Sequence, residues 1–109
     1  MQNVITPDAA AALLPSRAML ATVWRYLASM NTSMIRESPI CLCRKIVRWS
    51  NAPMSLGQLM TCLDIFRDVG LLRNTRMHKY LVLELTPGTT KADLNESQTM
   101  QRLLRAKES

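Results

Sequence analysis

Three amphipathic stretches follow one another, each opened by a side chain able to cap a helix, and after them come a basic turn and an apolar run that stops at Pro87. That order predicts a mainly α domain with a small β-hairpin, a winged helix-turn-helix with a three-helix core, a wing and a further C-terminal helix. With 109 residues and 48% apolar content, the chain has enough interior for one such domain. Aromatic residues are few, so Leu, Ile, Val and Met must fill most of the core, with Trp24, Trp49 and Phe66 as large anchors. The expected organisation is a linker or flexible arm at 1–14, the winged-helix domain at 15–88, and a tail with its helix at 89–109.

In the arm, Pro7 and Asp8 are placed to start a short helix and Pro15 to end it. Ser16 caps the first core helix, where Leu20, Val23, Trp24, Leu27 and Met30 recur at steps of three and four, with Arg17, Ala21, Arg25 and Ala28 on the other side. Ser38 caps the second, and Pro39 takes the first helical position, where its missing N–H is harmless. Ile40, Cys43, Ile46 and Val47 are expected inward, and Arg44, Lys45 and Arg48 outward. The third begins at Ser55 with Gln58 three residues on, a reciprocal cap, and its expected buried stripe is Leu56, Leu59, Leu63, Phe66 and Val69. Gly70 closes it in the left-handed conformation, and Leu71 and Leu72 leave as extended chain.

"RNTRMHK" at 73–79 suits a hairpin turn, and "YLVLEL" at 80–85 a strand returning beside Leu71 and Leu72. In the last piece, Asn95 and Gln98 offer a second capping pair, Met100, Leu103 and Leu104 an apolar stripe, and Arg102, Arg105 and Lys107 a basic end suited to the helix dipole. That stripe packs on its own domain, on a second copy, or on a core elsewhere in a longer chain.

Fourteen Lys and Arg against eight Asp and Glu give a net charge of +6. The excess favours a polyanionic partner such as nucleic acid, since each neutralised phosphate releases counterions; a solubilising surface is the alternative. The third helix is a poor groove reader. Opposite its apolar stripe lie Gly57, Thr61, Asp64 and Asp68, read as an exposed acidic face that repels phosphate, which leaves only Ser55, Gln58 and Thr61 for bases. The expected contacts are therefore Arg44, Lys45 and Arg48 on the second helix and Arg73, Arg76, His78 and Lys79 in the wing, with Tyr80 beside it. Tyr80 and Trp49 are the candidate platforms for stacked bases, although Trp49 is expected in the core under the following loop. Weak, salt-sensitive, sequence-tolerant binding is the expectation.

No catalytic constellation, cofactor or metal site is expected. Cys41 and Cys43 point about 200° apart on a helix, so they and Cys62 read as buried thiols rather than zinc ligands, which suits a reducing compartment. His78 has no carboxylate or serine near it in sequence, and Gly57, Gly70 and Gly88 form no phosphate loop. No apolar run is long enough to span a bilayer and no basic stretch precedes "AAAALLP", so a cytoplasmic protein without membrane contact is expected.

Several segments carry a resemblance. Pro15-x-Arg17, Val23-x-x-Tyr26-Leu27, "CLDIFRDVGLL" with Phe66-x-x-x-Gly70-Leu71, and above all "KADLNESQTMQRL" resemble the C-terminal domain of RecJ-type single-stranded-DNA exonucleases, in the subgroup with an added C-terminal domain. The likeness covers roughly residues 14 to 105. The family's short Asp and His repeats, which bind its catalytic metals, are absent. The resemblance therefore implies a non-catalytic accessory module for DNA repair or recombination. Such a module holds single-stranded DNA or docks a partner such as the single-stranded-DNA-binding protein, and is joined to a nuclease core in a longer parent chain. A stand-alone winged-helix transcription regulator and a pure protein-docking module are the alternatives.

Overall fold

Helix α1, Pro7–Leu13, starts where the Thr6 hydroxyl accepts from the Ala9 amide at 3.1 Å and Pro7 takes the first helical position. Helix α2, Arg17–Ser29, follows a Ser16 cap on Met19, and buries Leu20, Val23 and Leu27 while Trp24 meets Phe66 edge-on, centroids 5.4 Å apart. Strand β1 is Met34–Glu37 and helix α3 is Pro39–Ser50, capped by Ser38 and ended by Asn51 in the left-handed region at φ 55°. Helix α4, Leu56–Asp68, has the reciprocal cap, with Gln58 N donating to Ser55 Oγ at 3.1 Å and Ser55 N to Gln58 Oε1 at 3.0 Å. Strands β2, Leu72–Met77, and β3, Leu81–Leu85, then a single 3-10 turn, Leu94–Glu96, lead to helix α5, Gln98–Glu108. This computed structural model describes residues 5–30, 34–77, 81–85 and 93–108.

The chain is mainly helical with a small antiparallel sheet in the order β1-β3-β2. Ile35 pairs with Leu83, both buried, and Leu72 with Leu85, with a register irregularity on β2 between Leu72 and Thr75. The first strand was not anticipated. It is four residues with one buried side chain, and its ladder partners lie far down the chain, so no local pattern announces it. Gly70, at φ 84°, ends α4 as expected: the Leu71 amide reaches back to the Phe66 carbonyl at 2.8 Å and the chain exits into β2.

Four expectations need correction. Residues 7–13 do not form an arm: α1 packs against α4 and α5, and Ala10 is fully buried. On α3 the core takes Leu42 and Ile46, while Cys43 and Val47 are half-buried and Ile40 is 56% exposed. The buried arc is thus rotated by about 90° from the expected one, at 100° per residue. On α4, Leu56 is exposed, and Cys62, Ile65 and even Thr61 are buried. The cap of α5 is Ser97 rather than Asn95: Ser97 Oγ accepts from the Met100 amide at 3.1 Å, and Asn95 sits in the 3-10 turn that Asp93 caps. Met100 and Leu103 are buried against α4 and α1, whereas Leu104 stays exposed.

Candidate nucleic-acid interface

The face of α4 opposite the core is partly covered by the two terminal helices. Gly57 lies so near α1 that a Cβ there would come within 2.8 Å of Leu13 Cδ2. Thr61 is buried, and its hydroxyl donates to the Gly57 carbonyl at 2.9 Å. Asp68 accepts from Ser97 Oγ at 2.8 Å and from the Thr99 amide at 2.9 Å, which fastens the start of α5 to the end of α4. The expected acidic face is therefore a docking seam for the two terminal helices, with only Asp64 left beside it, paired to Arg67 at 3.0 Å. Ser55 and Gln58 are committed to each other and Thr61 to its own helix. None of the three side chains considered for base contacts on α4 is presented for that purpose.

The two carboxylates, one turn apart, titrate in opposite directions. Burial raises Asp64, helped by the nearby Asp68 charge and opposed by Arg67 and Arg102. Burial also works against the Asp68 anion, yet the hydrogen bonds from Thr99 and Ser97 and the Arg67 charge together outweigh it and hold this carboxyl below its usual value.

The outer surface of α3 is different. The helix has no acidic residue, and Arg44 and Arg48 stand exposed one turn apart. Lys45, beside them, is held by an ion pair to Glu37 of β1, whose carboxylate is largely buried with one oxygen otherwise unpartnered. The hydrogen bond and charge of Glu37 push the Lys45 ammonium above its ordinary value. Of the three cations predicted on this helix, two are thus presented outward and one is engaged.

Trp49, expected in the core, is 51% exposed and leans edge-on against Tyr26 of α2, centroids 5.5 Å apart at 71°. The left-handed Asn51 turns the chain toward the other side of α3, where Met54 packs and its carbonyl accepts a weak bond from the Cys43 thiol at 3.6 Å.

Arg73 is exposed at the start of β2. Since β3 lies between β2 and β1, Arg73 sits on the far edge strand, about 10 Å from β1 at ordinary strand spacing. The Arg76 backbone pairs with Val82 in the ladder. The expectations for the Arg76 side chain and for His78, Lys79 and Tyr80 lie outside the described residues. Sequence reasoning missed Tyr26 and Glu37 as partners of this surface. Glu37 depends on the unforeseen β1, and Tyr26 lies beside, not on, the main apolar stripe of α2.

The cysteines do not converge. Cys41 is exposed, Cys43 half-buried, and Cys62 lies in the core with its thiol pushed up to about 12 by desolvation. Among the described residues no group of three His, Cys, Asp or Glu side chains is placed to hold a metal ion, and no helix is long and apolar enough to cross a membrane. Compared with family models, curated proteins and solved structures, the chain finds no match.

Proposed function

We propose that this chain is a winged-helix accessory module, of the kind implied by its resemblance to the C-terminal domain of RecJ-type exonucleases, and that it holds single-stranded nucleic acid through α3 rather than α4. The element order and the β1-β3-β2 sheet support the winged-helix reading. The observation that carries the function is the contrast between two helices: α1 and α5 cover part of α4, including Thr61, while α3, a helix without an acidic residue, turns Arg44 and Arg48 to solvent. A groove-reading helix needs an open face of base and phosphate contacts, and the open strip of α4 holds Leu56 and the Asp64–Arg67 ion pair instead. A phosphate track needs only uncovered cations.

The module is non-catalytic in this reading, because the chain has a single His and lacks the Asp and His repeats of the exonuclease core. The test is a titration of the chain with a labelled single strand, a duplex of random sequence and an acidic tail peptide. Two phosphate contacts give a salt slope of about −1.4, so raising salt from about 50 to about 200 mM weakens strand binding roughly sevenfold. Arg44→Glu with Arg48→Glu abolishes it. A chain that leaves the strand unbound at the lower salt, or that selects one duplex sequence, overturns the proposal.

A further inference from the structure

Trp49 is where the surface of α3 departs from a plain basic patch. Single exposed apolar side chains are ordinary, but this one is an indole at the edge of a cationic face whose one acid, Glu37, is paired with Lys45, with one side braced by Tyr26 and half its surface open. Arg48 is the preceding residue, about 100° around the axis, and Arg44 lies about 6 Å further back along it. A strand crossing the last turn of α3 meets a guanidinium with its backbone and the indole with its base.

Resting on the function proposed above, we infer that Trp49 is a base-stacking platform and gives this surface its preference for single strands over duplex. The ring contact with Tyr26 restricts the indole in advance, so little side-chain freedom remains to be lost on binding. A duplex offers the same phosphates, but its bases are already stacked and present no open face. An acidic peptide is a poorer occupant, because the negative π face of the indole repels carboxylates and accepts a nucleobase. Arg44 and Arg48 supply charge complementarity to either polyanion, and the ring selects between them.

The experiment compares an oligothymidylate with an abasic deoxyribose-phosphate strand of equal length, each titrated into the full chain at low salt. The wild-type chain binds the oligothymidylate roughly tenfold more tightly than the abasic strand, the effect of one stacked base. Trp49→Ala brings the two to parity and leaves abasic binding unchanged, and Trp49→Phe, which keeps a π face, preserves most of the difference. Indole emission is quenched by the oligothymidylate in the wild type and not in Trp49→Ala, where Trp24 alone reports. Thermal melts of both variants establish that they are folded, and Trp49→Phe serves should the alanine variant not be. Equal affinity of the wild type for both strands, or a preference that survives Trp49→Ala, overturns the stacking role while leaving the phosphate track standing. Failure to bind either strand overturns the track itself. Binding of an acidic peptide that is lost in Trp49→Ala, without strand binding, assigns the ring to a protein partner instead and overturns both.

Discussion

Replacing Asp68 with Ala removes the contact that fastens α5 to α4. The carboxylate accepts from the Thr99 amide and from Ser97 Oγ, and Ser97 is fully buried. Losing a helix-terminal acceptor costs about 1 kcal/mol, and a buried hydroxyl left without its acceptor adds about 1 more. Asp68 is itself exposed to water, which keeps the sum near the low end of both ranges, about 2 kcal/mol. For a domain of this size that lowers the melting temperature by roughly 8–16 °C.

The pH dependence follows from the depressed carboxyl. Its folded value lies below its unfolded one, so its contribution is complete above the unfolded value, about 3.9, and is lost as pH falls through the folded value. Circular-dichroism melts at neutral pH and at steps into acid should show a gap between wild type and Asp68→Ala that narrows with acidification. Asp68→Asn, which keeps an acceptor oxygen, should fall between them. A neutral-pH gap of less than a degree or two, or one that widens in acid, would falsify the seam between α4 and α5.

Asp64→Asn is the opposite case: burial raises this carboxyl, so its charged form opposes folding at neutral pH, and the exposed Arg67 pair it gives up is worth at most about 1 kcal/mol. The same melts should show no loss, and a small gain is consistent. At Gly70 a Cβ meets nothing within 4 Å, so Gly70→Ala carries only the strain of φ 84°, about 1–2 kcal/mol by chemical denaturation, with Gly70→Asn less affected. Titration with a thiol reagent in native buffer should label Cys41 quickly, Cys43 slowly and Cys62 only on unfolding, in the order of their exposure. Glu37→Gln should release Lys45 toward the strand, steepening the salt slope from about −1.4 to about −2.1 in the anisotropy titration.

Local signals were legible and long-range ones were not. Ser16, Ser38 and the Ser55–Gln58 pair announced three helix starts, and Gly70 one helix end, because caps and left-handed turns are written within four residues. The stripe of α2 was read correctly for the same reason. Strand β1 escaped, since its stability comes from pairing with β3. The rotation of α3 escaped because Ile40 and Leu42 are equally apolar, and only the fold decides which of them is buried. On α3 the outward positions of Arg44 and Arg48 were legible, while the engagement of Lys45 by Glu37 and the exposure of Trp49 required knowing where β1 and the loop after Asn51 run.

The segment "KADLNES" carried most of the family resemblance, and the structure accounts for three of its residues by packing alone. Asp93 caps the 3-10 turn, Leu94 packs against the core, and Ser97 is buried between Asp68 and the Met100 amide. Each is needed wherever an α5 must be locked across an α4, whatever the rest of the molecule does. These three residues are thus explained by the locking of α5 onto α4. In the function proposed above, this locking takes part of α4 out of use for duplex reading and leaves binding to Arg44 and Arg48 on α3, with the exposed Trp49 at their edge. If α5 were released, as Asp68→Ala with Ser97→Ala should favour, the α4 surface beneath it, which carries no basic residue but Arg67, would be uncovered, so duplex affinity should not rise. A rise in duplex binding by that double variant would mean that α4 reads nucleic acid after all and that its cover is a regulatory device rather than part of the fold.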